Sequence, residues 1–458
     1  MRRVAWMLAL SMMGGCAQPP AVSPAVTEVP LPPAWQTVLD SPMAAQQQDW
    51  WRQFQDPVLV DWVNRALARN TDLATAVARL REARAQENLA RAALSPTLDF
   101  SLPAQRARSV NAFGQGSTSS VVQPQFQAAY ELDLFGRVDQ QVRGAQASTL
   151  ASEHALAAMR LSVAAATASG YLTLRTLDAR LLILQDTLVS RAEALKLAQG
   201  RAQAGYTSDL ELHQAEAEYQ ATAQSIPPVQ TAIARQAHAL SLLAGEPPGP
   251  AARGLALAAL VAPPVPEGLP SELLRRRPDI AQAEATLAAS DASLAVARAQ
   301  FMPQFRLTGS AGRVWSNLLD AQVNIWSLGA SVLAPIFEGG RLQAQAEAAL
   351  ARRDQAALAY QRSVLGALRE VEDALVSLGQ LADQRAHLEA QRRALAEALK
   401  HATNRYHAGY SPYLEQLDAQ RSLLSTELSL AQTVGDQLTA AVALQQAMGG
   451  GWEGDARR

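Results

Sequence analysis

The sequence predicts a mainly α-helical protein with a small transmembrane β part, built from tandem-duplicated long helical hairpins. Three observations predict it. The 458-residue chain is 48% hydrophobic but only 5% aromatic, because Ala and Leu supply the apolar fraction, and that composition suits long helices better than an aromatic-rich core. Two very long stretches, from Arg137 to Ala204 and from Arg341 to the Gly409 turn, contain no proline. Between helical stretches the apolar period switches to two, the period of strands.

The N-terminus reads as a targeting segment. Arg2 and Arg3 form a positive n-region, and Val4–Met13 is apolar but too short to span a bilayer. Met13-Gly-Gly-Cys16 then resembles a bacterial lipobox, which implies a signal peptide over 1–15 and lipid attachment at Cys16. An ordinary secretory signal containing a cysteine is the alternative. With Ala and not Asp at position 17, the resemblance points to the outer membrane. The lone cysteine leaves no internal disulfide framework and no Cys-based zinc site. No other stretch reads as a spanning helix, so a membrane crossing falls to strands.

Residues 16–48, rich in Pro, Ala, Val and Gln, read as an extended lipidated tether. Trp50, Trp51 and Phe54 follow as an aromatic cluster, read either as a surface-docking element or as a packed helix start. Val58–Leu94 is helical and ends at Ser95-Pro96, since proline cannot continue the hydrogen-bond ladder. Over about 97–135, Leu98, Phe100 and Leu102, then Val122, Phe126, Tyr130 and Leu132, alternate with polar residues around a Gly/Ser-rich loop. That predicts a hairpin with one apolar and one polar face, the pattern of a membrane barrel wall.

A long helix over 137–204 follows, with Leu174, Leu177, Leu181, Leu184 and Leu188 at coiled-coil spacing. As one helix it is roughly 100 Å long. Gly205 heads a turn over 205–209, and the return helix is interrupted at Ser225-Ile-Pro-Pro228. A Pro-rich connector over 246–270 closes the first repeat, 49–245.

The programme then repeats over 271–448. Arg276-Arg-Pro-Asp-Ile280 mirrors Arg69-Asn-Thr-Asp-Leu73, and Pro303 mirrors Pro96, both at an offset of 207. A strand pair over about 304–337, a long helix over 341–408, a tip over 409–412 and a return helix follow. Gly409 and Gly205 lie 204 apart, as do Gly340 and Gly136, so the three-residue shift falls in the hairpin. The end, 449–458, reads as a flexible tail.

Four strands are too few to close a membrane barrel, and open edges are not viable in lipid. The pattern therefore predicts that the chain oligomerises; a homotrimer would supply a 12-stranded β-barrel above a hollow α-helical barrel, the arrangement that the resemblance named below implies.

No Gly-x-Ser-x-Gly, His-Glu-x-x-His or phosphate-binding glycine loop is present, and the six histidines do not share metal-ligand spacing. Nothing points to an enzyme, a metal or a cofactor beyond the lipid on Cys16. The net charge of −2 and the lack of a basic stripe argue against a nucleic-acid partner.

The lipobox, Trp50-Trp-Arg-Gln-Phe-Gln-Asp-Pro57, Tyr130-Glu-Leu-Asp-Leu-Phe-Gly-Arg137, Ala334-Pro-Ile-Phe-Glu-Gly-Gly-Arg341 and the paired Ala-Gly tips resemble the TolC-type outer membrane factors. The likeness is closest to the lipoprotein branch serving resistance-nodulation-division efflux pumps. It implies a passive efflux duct in the outer membrane, with an equatorial belt that includes the connector. It also implies a periplasmic adaptor protein, an inner-membrane transporter and outer membrane lipid as partners. By the same resemblance, Glu415 and Asp418 narrow the periplasmic aperture, and Tyr406 holds the closed state through a polar contact to the neighbouring hairpin. Glu415 stands where the family pattern has aspartate. Gly205 and Gly409 supply the positive φ of each turn, and the tips would dock the adaptor. An ordinary solvated helix start is the alternative for the two acids. Two other readings of the chain remain open: an outlet for type I protein secretion, and a periplasmic structural lipoprotein without a lumen.

Overall fold

The structure, a computed structural model, describes residues 29–37, 39, 43–45, 47–110 and 113–452. Cys16 and the signal segment lie outside the described residues. The principal helices, in chain order, are α1 (Pro57–Arg69), α2 (Thr71–Ala92), α3 (Arg137–Gln203), α4 (Asp209–Ala223), α5 (Ile226–Leu243), α6 (Pro278–Ala299), α7 (Arg341–His407) and α8 (Tyr413–Ala447). The strands of the main sheet are β1 (Thr97–Ser101), β2 (Ala104–Val110), β3 (Gly116–Val122), β4 (Gln125–Leu132), β5 (Gln304–Ser316) and β6 (Val323–Leu333).

The chain folds into two compact units, and neither coincides with a sequence repeat. Among the described residues, one gathers Arg79–Glu153 and Gln282–Arg362. The other gathers Val29–Ala78, His154–Ala281 and the described part of 363–458. The division into 49–245 and 271–448 therefore describes the order of elements, while each packed unit draws on both repeats.

The first unit holds the sheet. β1 pairs with β4, β2 with β3, β4 and β3 with β5, and β5 with β6, all antiparallel. The first hairpin differs from the single expected pair: Pro103 and Pro124 interrupt both of its strands, because neither can donate to the ladder. The register survives, with Ser101 opposite Gln125 before the break and Ala104 opposite Val122 after it. The Gln123 N–H donates to the Pro103 carbonyl (2.9 Å) and the Arg313 N–H to the Pro124 carbonyl (3.0 Å). Gly312 allows this approach; a Cβ there would lie 2.3 Å from the Pro124 oxygen. The break is thus a local loss of donors without a slip, and the unit has four continuous lanes of strand.

Arg137 ties helix to sheet, with Nη2 2.8 Å from Glu131 Oε2, and the Asp139 N–H bonds the Asp133 carboxylate at 2.7 Å. The helix ends in this unit set large apolar side chains against alanines: Leu294 and Ala297 meet Ala349, and Phe301 meets Leu342 and Ala346.

In the second unit the Trp50–Phe54 segment is a buried 3-10 turn, so of its two readings the packed one holds. Trp50, Phe54, Leu59 and Trp62 form one core with Ala168, Tyr171 and Leu172 of α3, Leu240 of α5 and Leu438 of α8. Asp56 is fully buried and organises this core. Its carboxylate caps α1 through the Val58 and Leu59 N–H groups (2.9 and 3.4 Å) and accepts from the Tyr171 hydroxyl (2.7 Å) and the Leu255 N–H (3.0 Å). Burial first, then the bond to Asp56, pushes the Tyr171 hydroxyl pKa well above its usual value. α3 is also, by length and composition, apolar enough to cross a bilayer, against the sequence expectation. Its Ala164–Leu174 stretch instead lines this protein core.

Two further differences have local causes. The expected helix 58–94 is two helices, because the Asn70 side chain accepts from the Asp72 and Leu73 N–H groups (2.9 and 3.1 Å) and starts a new one. The triple glycine at 449–451 belongs to the fold and not to a flexible tail. Gly449 ends α8 as Gly245 ends α5, each with positive φ. A Cβ on Gly245 would lie 2.4 Å from the Arg69 carbonyl oxygen, and one on Gly449 1.9 Å from that of Arg276. Asn70 Nδ2 reaches the Leu243 carbonyl (3.0 Å) and Arg277 Nη1 that of Ala447 (2.9 Å). Each return helix is thus fastened to the start of its own repeat at matching positions.

Candidate functional site

Both hairpin tips lie in the second unit. Each long helix ends in the same backbone device. The Gly205 N–H donates to Ala202 (3.0 Å) and the Tyr206 N–H to Arg201 (2.9 Å). The Gly409 N–H donates to Tyr406 (3.1 Å) and the Tyr410 N–H to Arg405 (2.8 Å). Gly205 and Gly409 have φ of +73° and +77°, as this helix-ending motif requires. Tyr206 and Tyr410, one residue on, are both strongly exposed.

The acids singled out by the sequence sit on the first turns of α8. Glu415 Oε1 accepts from Arg405 Nη1 at 2.8 Å, across the tip, with both side chains partly exposed. Asp418 is exposed. Three residues apart on α8, the two carboxylates share one helix face, near the positive end of the helix dipole.

Tyr406 is buried and bridges the hairpins. Its hydroxyl donates to Glu211 Oε1 of α4, and the Thr207 hydroxyl donates to the other oxygen of the same carboxylate. The Arg201 guanidinium lies 4.4 Å over the Tyr406 ring, and its Nη2 donates to the Tyr406 and His407 carbonyls (3.2 and 3.3 Å). The Tyr413 ring packs against that of Tyr406 at a tilt of 53°, 5.5 Å between centroids, in a small core with Ala194, Ala198, Ala215 and Leu417. Burial first, then the bond to Glu211, pushes the Tyr406 hydroxyl pKa well up, so the tyrosine stays a proton donor.

Sequence reasoning missed a second bridge deeper in the helices. Arg191 of α3 and Arg421 of α8 converge on Glu218 of α4. Arg421 Nε donates to Glu218 Oε1 at 2.9 Å, and Arg191 Nη1 donates to the other oxygen and also to the Glu218 carbonyl (2.8 Å). The bond to Glu218, with Asp418 nearby, raises the Arg421 pKa further. Arg191 and Glu218 are nearly fully buried, so removal of either strands a charge. No motif marks these residues; the one available signal was the absence of a repeat counterpart, since position 395 is Leu and position 422 is Ser. Among the described residues no group of His, Cys, Asp and Glu is arranged to hold a metal ion.

The sequence profile of the outer membrane efflux proteins matches residues 62–246 and 269–450. The chain belongs to this family. This efflux protein is 34% identical over 463 residues to the solvent efflux pump outer membrane protein SrpC of Pseudomonas putida, covering 97% of both chains. It is 34% identical over 479 residues to the outer membrane protein OprJ of Pseudomonas aeruginosa, covering 98% of this chain and 95% of OprJ. Among solved structures, the outer-membrane channel OprN superposes with a TM-score of 0.84 at 30% identity, over 94% of this chain and 99% of that one. The protein is thus an outer membrane efflux channel with a large helical periplasmic part, and its mainly α fold with a β portion is that of its relatives.

Proposed function

We propose that three copies of this efflux protein form one passive duct, lipid-anchored at Cys16, which carries small molecules from a periplasmic adaptor and an inner-membrane resistance-nodulation-division transporter to the exterior. The observation that carries the trimer is the sheet. It is open, with the β1–β2 lane and β6 each paired on one side only among the described residues. Open edges in lipid leave backbone donors and acceptors unsatisfied, so neighbouring copies must complete the wall. The names of the relatives, a solvent efflux pump protein among them, favour small apolar cargo over secreted protein.

In this reading Glu415 and Asp418 ring the periplasmic aperture and favour cations. The Tyr406–Glu211 and Arg421–Glu218 contacts hold the second hairpin against the first, and opening breaks both. The Gly205 and Gly409 turns present the tips to the adaptor. Planar-bilayer recording tests the assignment. Wild type should show a small, cation-selective conductance that rises in the E415A/D418A variant and in Y406F. No conductance in any variant sinks the duct. Conductance that ignores both substitutions sinks the aperture but leaves the duct standing. An adaptor and a proton-driven transporter encoded beside this chain would support the efflux partners, and an ATP-driven exporter in their place would support protein secretion.

A further inference from the structure

The apolar face of the sheet does not stay apolar to its end. Phe100 pairs with Phe126, Phe126 with Ala311, and Ala311 with Trp326, so these residues share one face, the two phenylalanine rings 5.2 Å apart. Trp326 and Leu328 are strongly exposed on it, which identifies the surface turned to lipid. Because the proline break preserves register, alternation continues through it. Arg106 opposite Ser120, Arg108 opposite Thr118, and Arg313 opposite Asn324 therefore lie on the same face as Phe100 and Trp326. The fourth strand arginine, Arg306, is opposite Glu131 on the polar face. The strand carboxylates Asp99 and Glu131 are also on that polar face, opposite Gln127 and Arg306. The lipid-facing surface thus ends in three guanidinium groups and no strand carboxylate.

Their place along the strands gives them a meaning. Helices join the sheet at one end, and the turns between β2 and β3 and between β5 and β6 lie at the other. With the helices in the periplasm, the turn end reaches the outer leaflet. Going outward, the face runs from Phe100 and Trp326, through Arg313 beside Trp315, to Arg106 and Arg108. Tryptophans mark the depth of the membrane–water interface, and arginines in the hydrocarbon would be costly unless they reach anionic headgroups. Arg313 is braced by its Nε bond to Asn324 Oδ1 (3.2 Å). A guanidinium fork matches a phosphate in charge and geometry.

We infer that Arg106, Arg108 and Arg313 form a binding surface for the phosphates of an outer-leaflet phosphorylated glycolipid. The inference rests on reading the sheet as a barrel wall. In the outer membrane the leaflet at the turn end presents phosphorylated glycolipid and not phospholipid, so the lipid A type is the one occupant this position selects. Clustered arginines at a headgroup interface act additively.

The test is native mass spectrometry of the full-length channel with bis-phosphorylated lipid A, its dephosphorylated form and phosphatidylglycerol. Wild type should retain the bis-phosphorylated lipid about tenfold or more over the dephosphorylated form. R106Q/R108Q/R313Q should lose that preference, and R306Q should keep it. The inference is overturned if wild type shows no preference for phosphate, if the triple variant keeps it, or if phosphatidylglycerol is retained equally well. Should the triple variant fail to assemble, the three single variants decide: each should lose severalfold retention, and no change in any of them overturns the assignment. Bilayer conductance of the same preparations reads the barrel separately, so a failed lipid site and a failed channel give different results.

Discussion

The two hairpin tips share a backbone and differ in their side chains. Both end a 67-residue helix with a left-handed glycine and an exposed tyrosine, and both carry an arginine before the turn and a glutamate after it. At the second tip, Arg405 and Glu415 close on each other at the surface. At the first, the equivalent pair is pulled apart: Arg201 stacks on Tyr406 and Glu211 accepts its hydroxyl. Position 202, the counterpart of Tyr406, is alanine and cannot return the contact. The first tip is thus a receptor for the second. One tyrosine, present in one repeat only, turns two similar turns into a latch and its keeper.

The largest break in this asymmetry should come from Glu218. E218A leaves the buried Arg191 charge without a carboxylate and should cost about 3 to 5 kcal/mol in denaturant unfolding. E218Q keeps the shape and should cost less. Y406F removes a hydrogen bond to a carboxylate and should cost about 1 to 3 kcal/mol, with faster hydrogen exchange at 405–421. R201A should cost about 1 to 2 kcal/mol, whereas R405A, which removes only a partly exposed pair, should cost under about 1 kcal/mol. Equal costs for these two arginines would show that the tips are equivalent after all.

A pH dependence follows from the raised Tyr406 pKa. A tyrosine held neutral in the fold ionises first in the unfolded chain, so its contribution is complete below about pH 10 and declines as pH rises above that. Wild type should therefore lose stability in alkali more steeply than Y406F. Tyr171 and Tyr413, also pushed up by burial, should leave part of the slope in the variant. The smallest stability effect is expected for E415A/D418A, within about 0.5 kcal/mol; its readout is selectivity, since in the proposed reading these acids act on ions, and neither is buried in the fold.

Legibility followed chemistry that is local in the chain. The glycine turns, the proline stops, the period of two in the strands and the 204 and 207 offsets each report a backbone requirement at one place, and all are visible without coordinates. The Glu218 bridge was not, because its three residues lie on three helices and each alone reads as a solvated polar position. Gly449–Gly451 read as a tail for the same reason: three glycines look alike whether they face solvent or, as here, the Arg276 carbonyl, the Leu161 side chain and the Gln47 backbone. Asn70, in the middle of an apolar pattern, hid a helix boundary that its side chain makes.

By itself the sequence determined the element order, the duplication, the two faces of the strands and the position of both tips, because propensity and periodicity act over a few residues. Tertiary structure decided which copy of a repeated residue has a partner. Glu211 and Glu415 occupy equivalent turns, yet one is held by the other hairpin and the other by the incoming helix of its own hairpin. That choice depends on what the fold brings within hydrogen-bonding distance from some two hundred residues away, which no local pattern encodes.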